Sequence, residues 1–187
     1  SETSAAQIDC GDHVALRDSE GFMPAVLRVA DLWKPDREWE AEAVYGTGSR
    51  DHPGVCLGLD ETALVYVGGT IEVLELPVHY DFESLWHTPA RLRQGFGQAG
   101  WDSVIAFQTS RPMHRLQRDL VVEMAAAQDA KILLHPVVGE TKPGDLEYYA
   151  RVRCYQALLR HLPAQLAVLS LLPLAMRMAG PREALWH

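Results

Sequence analysis

The feature that most constrains this chain is a change of pattern near residue 80. From there on, short apolar runs alternate with helical stretches. Thr88-Pro89 supplies an N-cap hydroxyl and a proline at the first helical position, and Gly100 ends the helix that follows. Ser103 to Gln108 reads as a buried strand, about His114 to Gln128 as a helix, and Lys131 to Leu134 as a strand. Leu146 to Arg160 is then helical, and Leu166 to Leu172 is a third strand. Strand, helix, strand, helix, strand is the pattern of a parallel sheet with crossover helices. Such sheets bind ligands at the carboxyl ends of their strands.

Before residue 80 the chain reads differently. His13 to Arg17, Ala25 to Leu32, Leu64 to Val67 and Thr70 to Leu76 are short and rich in β-branched and apolar residues. Turn signals separate them, among them Lys34-Pro35-Asp36, His52-Pro53-Gly54 and Gly68-Gly69. One helical piece, Arg37 to Val44, lies between. The expected architecture is therefore α/β with a β-rich N-terminal part.

Composition excludes several partner classes. The net charge of −8 argues against a nucleic-acid or membrane-surface binder, which needs a basic face. The most apolar stretch, Leu162 to Met178, is interrupted by Pro163, Gln165, Pro173 and Arg177 and is too broken to span a membrane. It reads as a buried strand followed by a turn. The first residues carry no signal-peptide pattern, so the cytoplasm is the expected compartment. Three cysteines, Cys10, Cys56 and Cys154, have no metal-ligand spacing and read as buried free thiols. Cys10, Asp12 and His13 match no zinc pattern and read as a turn into the first strand.

The loops at the carboxyl ends of the three later strands are Gln108 to Met113, His135 to Asp145 and Pro173 to Pro181. They carry Gln108, Arg111 and His114; His135, Lys142 and Asp145; and Arg177 with the nearby Arg182. Singly, each is a turn with a solvated charge. Three at one sheet edge point to a site for a polyphosphate or another small anion. His79 and His87, at the pattern change, read as structural. Arg151 and Arg153, two apart on one helix, face different ways, so at most one reaches the site.

A series of segments runs through the chain: His52-Pro53-Gly54-Val55, Tyr66-Val67-Gly68-Gly69, Leu76-Pro77-Val78-His79-Tyr80-Asp81-Phe82 and Thr88-Pro89-Ala90-Arg91-Leu92-Arg93. Ala106-Phe107-Gln108-Thr109 follows, then His135-Pro136-Val137-Val138-Gly139, Thr141-Lys142-Pro143-Gly144-Asp145 and Leu172 to Ala184. In order and spacing this series resembles ATP sulfurylase (sulfate adenylyltransferase). The resemblance implies a PUA-like domain, of which residues 1–80 would be part. It also implies a Rossmann-like nucleotidyltransferase domain, of which 81–187 would be the N-terminal half. The implied reaction joins ATP and sulfate into adenylyl sulfate and pyrophosphate, with Mg2+ accompanying the nucleotide. Catalytic roles are implied for Thr109, Arg111 and His114. Nucleotide or sulfate binding is implied for Gln108, His114, Gln117, Lys142 and Arg177, and no protein-held metal is implied.

The chain departs from the family loop Gln-Thr-Arg-Asn-Pro-x-His-x-x-His at three positions: Ser110, Arg111 and Gln117. Ser110 stands where the family has its sulfate-holding arginine, and Gln117 where it has a second histidine. Lowered or abolished activity is the expected consequence. The family continues into a Gly-Arg-Asp-His-Ala-Gly-Pro loop beyond the residues given, so the chain reads as part of a longer polypeptide. Some family members are fused to an adenylylsulfate kinase. The alternative reading is accordingly a degenerate fold serving as scaffold or regulator of a fused kinase. A homo-oligomer is expected in either case.

Overall fold

A computed structural model describes residues 7–18, 20–139, 146–174, 179 and 182–186. The chain divides into two compact units, Ser1–Val78 with Arg177–His187, and His79–Met176.

The first unit contains an antiparallel sheet of order β1-β2-β3, made of His13–Leu16, Ala25–Trp33 and Tyr66–Val73. Between β2 and β3 lie α1 (Arg37–Tyr45) and a short α2 (Pro53–Cys56) that continues into a π-helical turn at Leu57–Glu61. The Asp36 side chain caps α1 by accepting from the Trp39 N–H, and Gly46 ends it in the left-handed region at φ 74°.

Two expected turns are corrected here. Gly68-Gly69 is not a turn: β3 runs through both residues, and the ladder shifts register opposite them, between Val29 and Asp31. A Cβ on Gly69 would sit 2.0 Å from the Arg28 carbonyl oxygen, so the glycine permits a close backbone approach inside a strand. His52-Pro53-Gly54 is a helix start, with His52 Nδ1 accepting from the Gly54 N–H and Pro53 in the first turn. A proline followed by glycine reads as punctuation in sequence, yet a first-turn proline lacks only an N–H that the helix does not use.

The second unit is built on a parallel sheet of order β4-β5-β6: Val104–Thr109, Lys131–Pro136 and Ala167–Leu169. Helix α3 (Pro89–Gln98) precedes it, capped by Thr88 as the sequence predicts. Helices α4 (Arg115–Ala127) and α5 (Tyr148–Leu159) form the two crossovers. The third strand is shorter than expected, but the chain beyond it stays extended. Ser170 and Leu172 donate to the Leu134 and Pro136 carbonyls, and Val137 bridges Leu172.

Val121 and Ala125 of α4, Tyr155 of α5, Ile132 and Leu134 of β5 and Leu169 of β6 make one buried cluster, with Ile105 and Phe107 of β4 against it. Strand alternation therefore gives one sheet face to α4 and α5, and puts Ala106, Gln108, Leu133 and His135 on the other. Burying this cluster stabilises the unit by roughly 25 cal/mol per Å² of apolar surface removed from water. The expectation of buried thiols is corrected: Cys10 and Cys154 are exposed and Cys56 is half-buried. Cys154 lies on α5 one residue before the buried Tyr155, and one step along a helix turns the side chain by about 100°.

Candidate active site

The carboxyl edge of the parallel sheet gathers the expected residues of the first loop. Gln108 pairs in register with His135, and Thr109 with Pro136. Gln108 and His135 are thus neighbours on the face away from α4 and α5. Burial alone holds the His135 imidazole below its ordinary value of 6.5.

Thr109 shapes the loop. Its Oγ1 accepts from the Arg111 N–H at 3.1 Å and donates to the Arg111 carbonyl at 3.1 Å. The same carbonyl accepts from the Tyr155 hydroxyl at 2.5 Å. Burial pushes the Tyr155 phenol up to about 12, outweighing the lowering by Thr109 and Arg151, so the phenol remains a donor at neutral pH. Arg151, 3% exposed, donates through Nη1 to the Ser110 carbonyl at 3.1 Å and to that of Val137 at 3.3 Å. The Arg111 backbone is therefore pinned while its side chain is exposed.

His114 and Gln117 meet in a reciprocal capping box at the start of α4. His114 Nδ1 accepts from the Gln117 N–H at 3.4 Å, and Gln117 Oε1 accepts from the His114 N–H at 3.2 Å. With Nδ1 an acceptor, the neutral ring carries its proton on Nε2. An exposed N–H donor stands there at the helix N-terminus, whose partial positive charge favours anions.

Lys142 and Arg177, both expected to bind the substrates, lie outside the described residues. Tyr155 was missed by the sequence reading, and Arg151 was left as one of two arginines of which at most one reaches the site. The signal for them was periodicity: Val152 and Tyr155 are buried three apart on α5, and Arg151 adjoins them on the same face. Of the paired arginines, Arg151 reaches the loop and Arg153 is exposed. Among the described residues, no helix is long and apolar enough to cross a membrane.

His135 gives a pH prediction. Its folded value lies below 6.5, so the unfolded chain binds the proton more readily. The neutral ring's contribution to stability is full above 6.5 and is lost as pH falls from there toward the folded value. His87, lowered by burial and then by the Arg91 charge, adds in the same direction. The expected result is a thermal midpoint that drops between about pH 7 and about pH 5, with a shallower drop in His135→Asn. Equal slopes in the two proteins would remove His135 from the account.

A parallel sheet with both crossover helices on one face, accompanied by an antiparallel sheet, makes this a mixed α/β protein. The family model for ATP-sulfurylase matches residues 83–187, and that for a PUA-like domain matches residues 1–76. Sulfate adenylyltransferases are similar to the chain along nearly all its length. That of Phaeosphaeria nodorum is 49% identical over 181 residues, covering 96% of this chain and 32% of the relative. That of Saccharomyces cerevisiae is 47% identical over 186 residues, covering 100% of this chain and 36% of the relative. A solved structure of a hexameric APS kinase from Thiobacillus denitrificans superposes with a TM-score of 0.76 at 33% identity, over 97% of this chain and 32% of that one. The chain belongs to the ATP-sulfurylase family. It spans about a third of the length of the curated relatives it matches.

Proposed function

We propose that the complete polypeptide is a sulfate adenylyltransferase. A sulfate oxygen attacks the α-phosphorus of ATP, a P–O bond forms there, and the bond to the bridging α–β oxygen breaks to release pyrophosphate. The observation that carries this reading is the loop after β4. In a chain of this family, that loop stands at the carboxyl edge of a parallel sheet with its backbone pinned and a ring N–H exposed beside a helix N-terminus.

In this reading residues 1–80 are part of a PUA-like domain, and 81–187 are the N-terminal half of a Rossmann-like nucleotidyltransferase domain. Thr109 fixes the loop, Arg111 lays its exposed guanidinium over the phosphates, and His114 donates from Nε2 to a phosphate oxygen. Gln108 contributes an amide, Gln117 sets the ring of His114, and Lys142 and Arg177 add cations. Sulfate is a poor nucleophile, so rate comes from positioning and from charge stabilisation on the phosphoryl oxygens. Magnesium arrives as part of the magnesium–ATP substrate. The enzyme in this reading is cytoplasmic and homo-oligomeric.

Ser110 and Gln117, where the family loop has arginine and histidine, favour a second reading: a slow or silent domain that supports a fused adenylylsulfate kinase. Its support is the likeness to a chain from a hexameric APS kinase. One assay separates the two. Pyrophosphate release by the complete polypeptide is followed with magnesium–ATP, with and without sulfate, after any kinase site has been inactivated. Sulfate-dependent release is expected, and release that ignores sulfate would leave the second reading.

A further inference from the structure

We infer that Arg151 is a positioning residue of this site, tying together the loops that leave β4 and β5 and placing a permanent charge beneath the anion bound there. Ser110 is the first residue after β4 and Val137 the first after β5, and one nitrogen of Arg151 donates to both carbonyls, at 3.1 and 3.3 Å. The guanidinium thus joins the ends of two neighbouring parallel strands. The residue is 3% exposed, and its Nε has no hydrogen-bond partner.

A buried guanidinium is costly, and it cannot escape by losing its proton. Among the described residues the ion pairs are Arg50–Asp60 and Arg118–Asp119, and Arg151 belongs to neither. Among the described residues its compensation comes from two neutral carbonyls. Their partial charges leave net positive potential at the sheet edge, where an anionic ligand supplies the missing countercharge. Tyr155, one turn further along α5, holds the next carbonyl of the same loop, that of Arg111. One helix face therefore sets both the loop's path and its potential. The charge half of this inference rests on the anion-binding reading above; the tether half does not.

The test compares Arg151→Met and Arg151→Lys in the complete polypeptide. Amide hydrogen exchange is read at residues 110, 111, 113 and 137–139, with the amides of β5 as internal reference. Binding of inorganic pyrophosphate is read by calorimetry. Arg151→Met is expected to speed exchange in both loops about tenfold with β5 unchanged, and to weaken pyrophosphate about tenfold. Arg151→Lys keeps the charge but ends one bond short of the Nη1 that donates to both carbonyls. It is expected to loosen the loops similarly while weakening pyrophosphate only about threefold. Loops as protected as in the unmodified protein in both variants would overturn the tether. Loosening spread equally into β5 would reduce Arg151 to a structural residue and overturn it as well. Pyrophosphate affinity unchanged in Arg151→Met would overturn the charge. An unmodified protein that binds no pyrophosphate would sink the anion-binding reading, and the exchange data would still decide the tether.

Discussion

His114→Ala should weaken ATP binding by the complete polypeptide about tenfold, the value of one hydrogen bond to a charged oxygen. It should also lower thermal stability, because the ring is the N-cap of α4. Losing an N-cap costs about 1 kcal/mol. These two effects can be separated. Asparagine is a good N-cap but has no group equivalent to Nε2–H at that reach. His114→Asn should therefore keep the stability and still lose the affinity. Equilibrium binding of a non-hydrolysable ATP analogue, beside thermal unfolding, reads both, with any kinase site inactivated first. If His114→Asn binds as tightly as the unmodified protein, the histidine is a cap and nothing more.

Replacing Ser110 with Arg, Arg111 with Asn and Gln117 with His together should raise sulfate-dependent turnover by roughly 10²-fold, the scale of a restored donor to a transition-state oxyanion. The scaffold permits the first two changes. Ser110 and Arg111 are held through their backbone carbonyls by Arg151 and Tyr155, and new side chains leave those bonds in place. The third change removes the Gln117 oxygen that accepts from the His114 N–H, so the helix start should loosen slightly. Turnover that stays flat while the thermal midpoint holds would show that these three positions do not limit the rate.

The fold of the second unit was largely legible because its signals are local. Thr88-Pro89 announced α3, and the apolar runs at Val104–Phe107 and Ile132–Leu134 marked two adjacent strands, β4 and β5. The first loop was legible as a candidate site because its side chains are polar and follow a strand. What was not legible depends on contacts distant in sequence. Gly68-Gly69 looks like a turn until Arg28 is brought against it, when the absent Cβ becomes a packing requirement. His114 was read from its loop and Gln117 from the resemblance alone. The spacing of the two is that of a capping box, although the usual cap is a serine or threonine, and the imidazole does the same work through Nδ1. Arg151 carried no local signal as a charge, and only the buried rhythm of Val152 and Tyr155 around it marks its face.

The Tyr155 tether has a consequence for titration experiments. Its phenol stays protonated up to about 12, and the carbonyl it holds has no proton to lose. Arg151, holding the neighbouring carbonyl, is likewise charged throughout. The two anchors of the loop are thus silent to acid and base over the whole range in which imidazoles titrate. A ligand-affinity profile that bends in that range reports a group other than these anchors, the ligand's own phosphates or the His135 ring at the sheet edge, on a backbone whose course stays constant.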